Sequence, residues 1–272
     1  MSVLNFFHSY VPSPTIVSWG DFSLHWYGLL FAASVALGYL VARRTWLEKG
    51  WPLPHLEQLV SWLVLAGLVG ARLVDVFLYE WWYFRDHLGD ILRLWEGGLA
   101  FHGGLAAAFL MLMTWAKKRG YSWLTLGDVL APALALAQAL GRWGNYFNQE
   151  LFGVPTNLPW GIPIVRAFRP VAQATSTHFH PVFLYEFMGL LVIAAVLWRS
   201  KSLAKAPGRL FAAYLISTGV LRFILEFIRI DAQLEVAGVR IGSLVAALVI
   251  LAGVWLWWRS PRSAAASSPL TA

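Results

Sequence analysis

Long apolar stretches separated by short charged clusters dominate the hydropathy pattern of this chain of 272 residues. A helix needs about 20 mainly apolar residues to cross about 30 Å of hydrocarbon. The pattern predicts seven spanning helices, at residues 25–42, 58–79, 98–116, 124–140, 181–198, 209–228 and 241–258. Pro132 is tolerable within the fourth span, because neighbouring groups in a membrane bundle can satisfy the freed carbonyl. We therefore expect an all-α polytopic membrane protein.

The composition supports lipid as the surrounding solvent. Hydrophobic residues make up 58% of the chain and charged residues 13%, whereas roughly 25% of an ordinary soluble domain is charged. A net charge of +7 would otherwise suggest a nucleic-acid partner, but a chain with so few polar residues cannot cover a soluble surface. We expect the lipid bilayer, and no nucleic acid, as a partner. Since the sequence contains no cysteine, disulfides and a cysteine nucleophile are excluded.

Basic residues are distributed unequally between the predicted loops. The loops after spans one, three, five and seven carry twelve of them, including all five lysines, and the opposite side carries seven arginines. The positive-inside rule then predicts an N-terminus on the outer side of the membrane and a cytoplasmic C-terminus. The long connection at residues 141–180 falls on the outer face, where its apolar stretches predict a small folded subdomain. We expect a single transmembrane domain over residues 1–262 and a disordered tail over residues 263–272.

Charged side chains inside a span are costly unless they are paired or hydrated. Arg72 and Asp75 in span two, and Arg222 and Glu226 in span six, are spaced so that each pair lies on one helical face. One interpretation is a pair of neutralising bridges that let the two helices insert. Arg142, at the outer end of span four, is a third arginine near the same depth. The alternative interpretation is therefore that these arginines form a phosphate site, because guanidinium groups bind phosphate bidentately.

The segment at residues 141–153 carries the strongest chemical signal. Its sequence GRWGNYFNQELFG places Arg142, Asn145 and Glu150 between glycines, ending at Gly153, where span four meets the outer loop. So many hydrogen-bonding groups at a membrane boundary favour a docking site for a polar group over an ordinary polar cap.

Two other stretches lie near the same depth. His102 is followed by two glycines at the start of span three, and Tyr27 lies in an aromatic stretch that opens span one. A lone histidine is more often a packed core residue, and boundary aromatics are typical of a membrane belt. An accessible imidazole near several arginines is, however, a candidate general base.

Residues 141–153 resemble the signature Gly-Arg-x-Gly-Asn-Phe-x-Asn-x-Glu-x-x-Gly of the bacterial phosphatidylglycerol–prolipoprotein diacylglyceryl transferases, with Tyr146 in the Phe position. A second position departs from that family, which usually carries Tyr-Gly four residues before the arginine of span six, where this chain has Thr218 and Gly219. Further stretches resemble the family in the same order, at residues 25–28, 71–73, 101–104, 180–186 and 222–226. The resemblance therefore extends from about residue 20 to about residue 258.

The resemblance implies a multi-pass enzyme of the bacterial inner membrane with seven spans. It implies transfer of the diacylglyceryl group of phosphatidylglycerol to the lipobox cysteine in the signal peptide of a preprolipoprotein, forming a thioether and releasing glycerol phosphate. No metal or other cofactor is expected. The implied catalytic residues are His102 as the base that accepts the thiol proton, and Arg142 and Arg222 as the clamp for the leaving group. The implied substrate-binding residues are Tyr27, Arg142, Asn145, Glu150, Gly153 and Glu226.

Two other functional classes fit part of the pattern. A transporter would use the arginine–carboxylate pairs as an anion path, but it predicts discontinuous helices and an internal repeat, and the sequence shows neither. A membrane scaffold that binds lipid without chemistry would explain the apolar mass but not the polar segment at residues 141–153.

Overall fold

The computed structural model describes residues 7–20, 22–94, 97–200, 202–231, 233, 235–236 and 238–260. This part of the chain is mostly helical. Its long helices are α1 Trp26–Glu48, α2 Leu53–Val74, α3 Phe101–Arg119, α4 Trp123–Phe147, α5 Val182–Arg199, α6 Arg209–Glu226 and α7 Ile241–Arg259. Its strands are β1 Thr15–Trp19, β2 Phe22–His25, β3 Ile162–Pro163, β4 His178–Phe179, β5 Glu235–Val236 and β6 Val239–Arg240. The disordered tail expected at residues 263–272 lies outside the described residues.

Five helices in the described ranges are long and apolar enough to cross a membrane. They are α1, α4, α5, α7 and α2 together with the π-helical turn Asp75–Tyr79 that continues it. The expectation of a polytopic, helical membrane protein is confirmed. Helices α3 and α6 form at the predicted places, but α3 ends in three basic residues and α6 contains three charged residues, so the count of seven spans stays a prediction.

The described chain divides into two compact units. The first unit comprises residues 7–17, 24–41 and those described within 127–260, and it contains most of α1 and α4 together with α5, α6 and α7. The second unit comprises residues within 18–23 and 42–126, and it contains α2 and α3.

In the second unit, glycines bring the backbones of α2 and α3 into contact. A methyl group at Gly70 would lie 2.7 Å from the carbonyl oxygen of Gly103, and one at Gly103 would lie 2.5 Å from that of Gly70. No side chain fits between the two helices at this crossing. The crossing lies at the first turn of α3 and therefore fixes the backbone next to His102.

Arg72 of α2 organises the segment that leads into α3. Its guanidinium is buried and donates hydrogen bonds to the backbone carbonyls of Asp90, Ile91, Gly97 and Gly98. The Asp75 carboxylate lies 3.5 Å away and balances its charge. Four N–H groups of Arg72 are bound to carbonyls and its charge is balanced by Asp75. A structural role therefore explains the Arg72–Asp75 pair, and no phosphate is needed at this position.

In the first unit, α4 extends seven residues beyond the predicted end of its span, to Phe147. The first half of the polar segment 141–153 is therefore helical, although we expected it in the loop. The helix continues past its apolar part because carboxylates of other elements pair with its polar side chains, as described below. The connection from α4 to α5 is folded around buried apolar residues that include Phe152, Ile164 and Phe179, and its strands β3 and β4 pair antiparallel.

Candidate active site

Two arginines from different helices of the first unit meet at one carboxylate. Arg142 lies near the end of α4, Arg222 in the last turns of α6, and Glu186 in the second turn of α5. The distance from Arg142 Nη2 to Glu186 Oε1 is 2.9 Å, and the distance from Arg222 Nη1 to Glu186 Oε2 is 3.1 Å. The Glu186 side chain is 5% exposed, whereas the two arginine side chains are 25% and 26% exposed. The carboxylate is therefore buried behind two guanidinium groups that remain partly accessible.

Asn145, one turn along α4, extends this arrangement. Its buried amide accepts a hydrogen bond from Arg142 Nη1 at 3.3 Å and donates one to Glu150 Oε2 at 2.9 Å. Asn148 donates to the other oxygen of Glu150 at 3.2 Å. The helix and the turn that follows it thus hold Arg142 and Glu150 in fixed positions through one amide.

The turn that carries Glu150 has an unusual backbone. Gln149 and Leu151 both have φ of 57°, a left-handed conformation that is unfavourable for residues with a Cβ. The Gln149 side chain stabilises the turn, because its amide donates to the carbonyl of Pro12 at 3.0 Å and accepts from the backbone N–H of Val165 at 2.7 Å.

Gly153 follows the turn in a narrow gap. A methyl group there would lie 2.7 Å from the carbonyl oxygen of Ile228 and 3.0 Å from Cγ2 of Val182. Its N–H donates to the carbonyl of His180 at 2.8 Å. Gly153 thus lets the chain pass between the segments that flank α5 and α6, a packing function that the sequence had not suggested.

A second cluster of charges surrounds Glu226 at the end of α6. Arg222 Nε lies 3.4 Å from one carboxylate oxygen, and Arg240 Nε lies 3.2 Å from the other. Gln233 donates to this second oxygen at 2.7 Å, and Arg229 Nη1 lies 3.6 Å from the first. Glu226 is 4% exposed, so its charge depends on these three arginines for compensation.

Asp231 connects this second cluster to the turn. Arg229 donates two hydrogen bonds to its carboxylate, and the backbone N–H of Leu151 donates a third at 3.3 Å. Burial raises the pKa of Asp231 from 3.8 to about 6, although the hydrogen bond from Leu151 and the charges of Arg240 and Arg222 act in the opposite direction. Four arginines and four carboxylates are thus linked in one network, whose members are Arg142, Arg222, Arg229, Arg240, Glu150, Glu186, Glu226 and Asp231.

Tyr27 packs against the backbone of α4 beside Arg142. A methyl group at Gly144 would lie 2.8 Å from Cδ2 of the Tyr27 ring. Tyr27 as a whole residue is 43% exposed, so it is held against α4 while part of it remains accessible.

His102 lies in the second unit, in the first turn of α3, and its side chain is exposed. It stays a candidate base.

Thr218, in the position where the resemblance leads us to expect tyrosine, donates a hydrogen bond from its hydroxyl to the carbonyl of Tyr214 on the preceding turn of α6 at 2.7 Å. Its hydroxyl is therefore bound to its own helix.

Comparisons with known proteins identify the family of the chain. The model of the family described as prolipoprotein diacylglyceryl transferase matches residues 14–259. The chain belongs to this family. It is 39% identical to the phosphatidylglycerol–prolipoprotein diacylglyceryl transferase of Gloeobacter violaceus, over 95% of this chain and 97% of the relative.

Two other relatives of the same name are similar to the chain over most of their length. The protein of Parasynechococcus marenigrum is 39% identical over 92% of this chain and 95% of the relative. The protein of Thermotoga petrophila is 38% identical over 86% of this chain and 80% of the relative. The resemblance found in the sequence is confirmed, and the chain is a transferase of the prolipoprotein diacylglyceryl transferase family.

The structure adds residues to the site that the sequence of this family member did not identify. Glu186 lies in one of the stretches that carry the resemblance, but its position between two arginines requires three helices. Arg229 follows Glu226 by three residues but lies beyond the end of α6, so helical spacing does not identify it. The others, Asp231, Gln233 and Arg240, lie between α6 and α7, where no periodic pattern points to a site.

Proposed function

We propose that the chain transfers the diacylglyceryl group of phosphatidylglycerol to the thiol of the lipobox cysteine of a preprolipoprotein. The sulfur attacks the glyceryl carbon that bears the phosphate. A carbon–sulfur bond forms, the bond from that carbon to the phosphate oxygen breaks, and glycerol phosphate leaves with the electron pair. The observation that carries the proposal is the pair of partly exposed guanidinium groups of Arg142 and Arg222 on one buried carboxylate.

The arginine pair would bind the phosphate and stabilise the charge of the leaving group. Glu186 occupies one N–H group of each arginine, which fixes the two guanidinium planes before a lipid binds. Both guanidinium groups remain partly exposed, and a phosphate oxygen would accept from their exposed N–H groups. Donors that are already oriented in a site with little water stabilise developing charge strongly.

The remaining residues would bind the headgroup and position the reactants. Asn145, Glu150 and Glu226 would orient the two arginines and accept hydrogen bonds from the glycerol head. Tyr27 would contact the headgroup or the thiol, and Gly153 would keep the turn close to the site. The acyl chains would remain in the apolar part of the bundle. We expect no metal ion or cofactor in the reaction, because a phosphate ester is already an adequate leaving group.

His102 would accept the thiol proton. A free thiol has a pKa of about 8.5 and reacts as the thiolate, so a base increases the reactive fraction at neutral pH. Replacing His102 with alanine should lower the rate about 100-fold or more and change its pH dependence. A His102→Ala protein with an unchanged pH profile would remove this assignment.

In the membrane, we propose seven spans, α1 to α7, in the bacterial inner membrane. The N-terminus and the subdomain at residues 141–180 would face the periplasm, and the C-terminus would face the cytoplasm. The proposal is supported by the excess of basic residues after α1, α3, α5 and α7. It places the arginine pair at the outer end of α4, where a lipobox peptide arrives after export.

A mass spectrum of a lipobox peptide incubated with the detergent-purified protein and phosphatidylglycerol tests the reaction. We expect a mass gain of one diacylglyceryl group on the cysteine that requires the lipid. The gain should disappear in a folded Arg142→Ala protein and persist in an Arg85→Ala control, whose side chain is exposed. A wild-type protein that binds the lipid but adds no mass would overturn the proposal.

A further inference from the structure

The backbone of Leu151 lies between two parts of the site. Its N–H donates to Asp231, and its carbonyl accepts from the backbone N–H of Phe183 at 2.9 Å. Phe183 lies in the first turn of α5, and Glu186 follows it by three residues. Glu150 directly precedes Leu151. The backbone N–H and C=O of this one residue therefore connect the turn that carries Glu150 to Asp231 and to the helix that carries Glu186.

The turn needs these contacts, because its backbone conformation is unfavourable. Leu151 has φ of 57°, and a leucine in the left-handed region gains nothing locally that offsets the steric cost. The contacts of Gln149 with Pro12 and Val165 are to backbone groups and do not depend on pH. The hydrogen bond from Leu151 differs, because it ends on an ionisable side chain.

The surroundings of Asp231 link its charge to the arginines. Its side chain is largely buried, and the guanidinium of Arg229 donates to both carboxylate oxygens. Arg240 Nη2 lies 4.0 Å from one of these oxygens. Glu226 and Arg222 are the next charged groups, because Glu226 shares Arg229 and Arg240 with Asp231 and also contacts Arg222.

We propose that Asp231 is a positioning residue of the transfer reaction: its carboxylate holds the backbone N–H of Leu151 and thereby keeps Glu150 and Glu186 aligned with the arginine pair. This inference rests on the proposed function. Protonation of Asp231 removes the charge assistance from the hydrogen bond of Leu151. It also leaves Arg229 without its counter-charge, so that Arg229 competes with Arg222 for Glu226.

The burial of Asp231 sets the pH at which its carboxylate becomes protonated. Because the pKa of Asp231 is raised to about 6, the carboxylate is charged at neutral pH and becomes protonated below about pH 6. The turn should therefore lose this alignment, and the transfer rate should fall, as the pH drops below about 6. Asparagine at position 231 keeps an acceptor for the Leu151 N–H but does not titrate.

The test compares the transfer rates of the wild-type and Asp231→Asn proteins between pH 5 and pH 8. The ratio of the two rates cancels the ionisation of the substrate thiol, which both proteins share. We expect a ratio of about ten at pH 7.5, the difference between a charge-assisted and a neutral hydrogen bond. The ratio should approach one at pH 5, with a midpoint near pH 6. An Asp86→Asn control, whose side chain is exposed, should give a ratio near one throughout.

A ratio that is the same at every pH would overturn the inference, since a purely structural contribution of Asp231 would not titrate. If the Asp231→Asn protein does not fold, amide-resolved hydrogen exchange of the wild-type protein decides. After correction for intrinsic rates, the Leu151 amide should lose protection between pH 7.5 and pH 5, whereas the Gly153 amide, bound to a carbonyl, should not. Equal behaviour of the two amides would refute the positioning of the turn by Asp231. The exchange experiment does not depend on detecting transfer. If no transfer is found but the Leu151 amide behaves as expected, the proposed function is wrong and the contact between Asp231 and the turn is still supported.

Discussion

Glu186 Oε1 lies 2.9 Å from Arg142 Nη2, and the second oxygen of this buried carboxylate contacts Arg222 of another helix. Three helices of the first unit therefore meet at one group. A buried carboxylate between two guanidinium groups fixes their separation, and their partly exposed faces remain available to an anion. This geometry holds the two arginines side by side, as the proposed phosphate site requires.

Replacing Glu186 with glutamine should test this relationship directly. The amide keeps the shape of the side chain but cannot balance two positive charges, so the arginines should move apart. We expect a fall in the transfer rate of about 100-fold, comparable to the loss of an oriented donor in an oxyanion site. The rate is measured on protein that has first been shown to be folded, because breaking a buried ion pair costs about 3–5 kcal/mol of stability.

The matched control is Glu48→Gln, which removes an exposed carboxylate that lies 3.8 Å from Arg44. It should transfer at the wild-type rate. If Glu186→Gln were as active as this control, the shared carboxylate would have no part in orienting the arginines.

Arg142→Lys should show whether the clamp depends on the fork of the guanidinium. Arg142 uses Nη1 for Asn145 and Nη2 for Glu186, and a lysine ammonium cannot reach both while it also contacts a phosphate. We expect the transfer rate to fall about 100-fold, whereas Arg85→Lys, at an exposed position, should have no effect. A fully active Arg142→Lys protein would show that a point charge is sufficient at this position.

The positions of the helices could be predicted from the sequence, because hydropathy alone determines where an apolar helix lies. The end of α4 could not. The apolar pattern stops near residue 140, but the helix continues to Phe147 because Glu186 and Glu150 pair with its polar side chains. Those partners come from a different helix and from a turn, and no local pattern reports them.

The residues of the candidate site could likewise be predicted only in part from local sequence patterns. Arg142 and Glu226 could be predicted, since charged residues at a membrane boundary are unexpected and therefore conspicuous. Asp231 and Arg240 could not, because polar residues are ordinary in a connection between helices. Arg72 was conspicuous for the same reason as Arg142, yet it binds backbone carbonyls of residues 90–98. The cost of a buried charge thus indicates that a partner exists, without indicating which one.

Asp128→Ala should lower stability without changing the reaction. The Asp128 carboxylate on α4 accepts hydrogen bonds from the backbone N–H groups of Gly208 at 2.6 Å and Phe211 at 2.8 Å, so it caps the start of α6. Loss of a cap costs about 1–2 kcal/mol. We expect a lower melting temperature than for the exposed control Asp86→Ala, and an unchanged transfer rate per folded molecule. Equal melting temperatures would show that the cap contributes nothing.

Gly144→Ala should displace Tyr27. The added methyl group would lie 2.8 Å from the Tyr27 ring, closer than a van der Waals contact, so the ring must move away from α4. If Tyr27 contacts the substrate as proposed, the KM for phosphatidylglycerol should rise severalfold. The control is Gly89→Ala, where an added methyl group meets no atom within 4 Å. An unchanged KM in Gly144→Ala would remove Tyr27 from the binding site.

Ionisation of Asp231 should also change the stability of the folded protein. It should lower the stability while it raises the transfer rate. Folding raises its pKa from 3.8 to about 6, so between these values the folded protein binds more protons than the unfolded chain. The contribution of Asp231 to stability is therefore fully present below pH 3.8 and is lost as the pH rises through about 6.

The measurement is the difference in melting temperature between the wild-type and Asp231→Asn proteins from pH 4.5 to pH 7. We expect the wild-type protein to lose stability relative to the variant as the pH increases, with little further change above about pH 7. Because the same rise in pH should increase the relative transfer rate, stability and activity should move in opposite directions. General acid unfolding would lower both together, so a parallel loss of the two at low pH would contradict a local titration at Asp231.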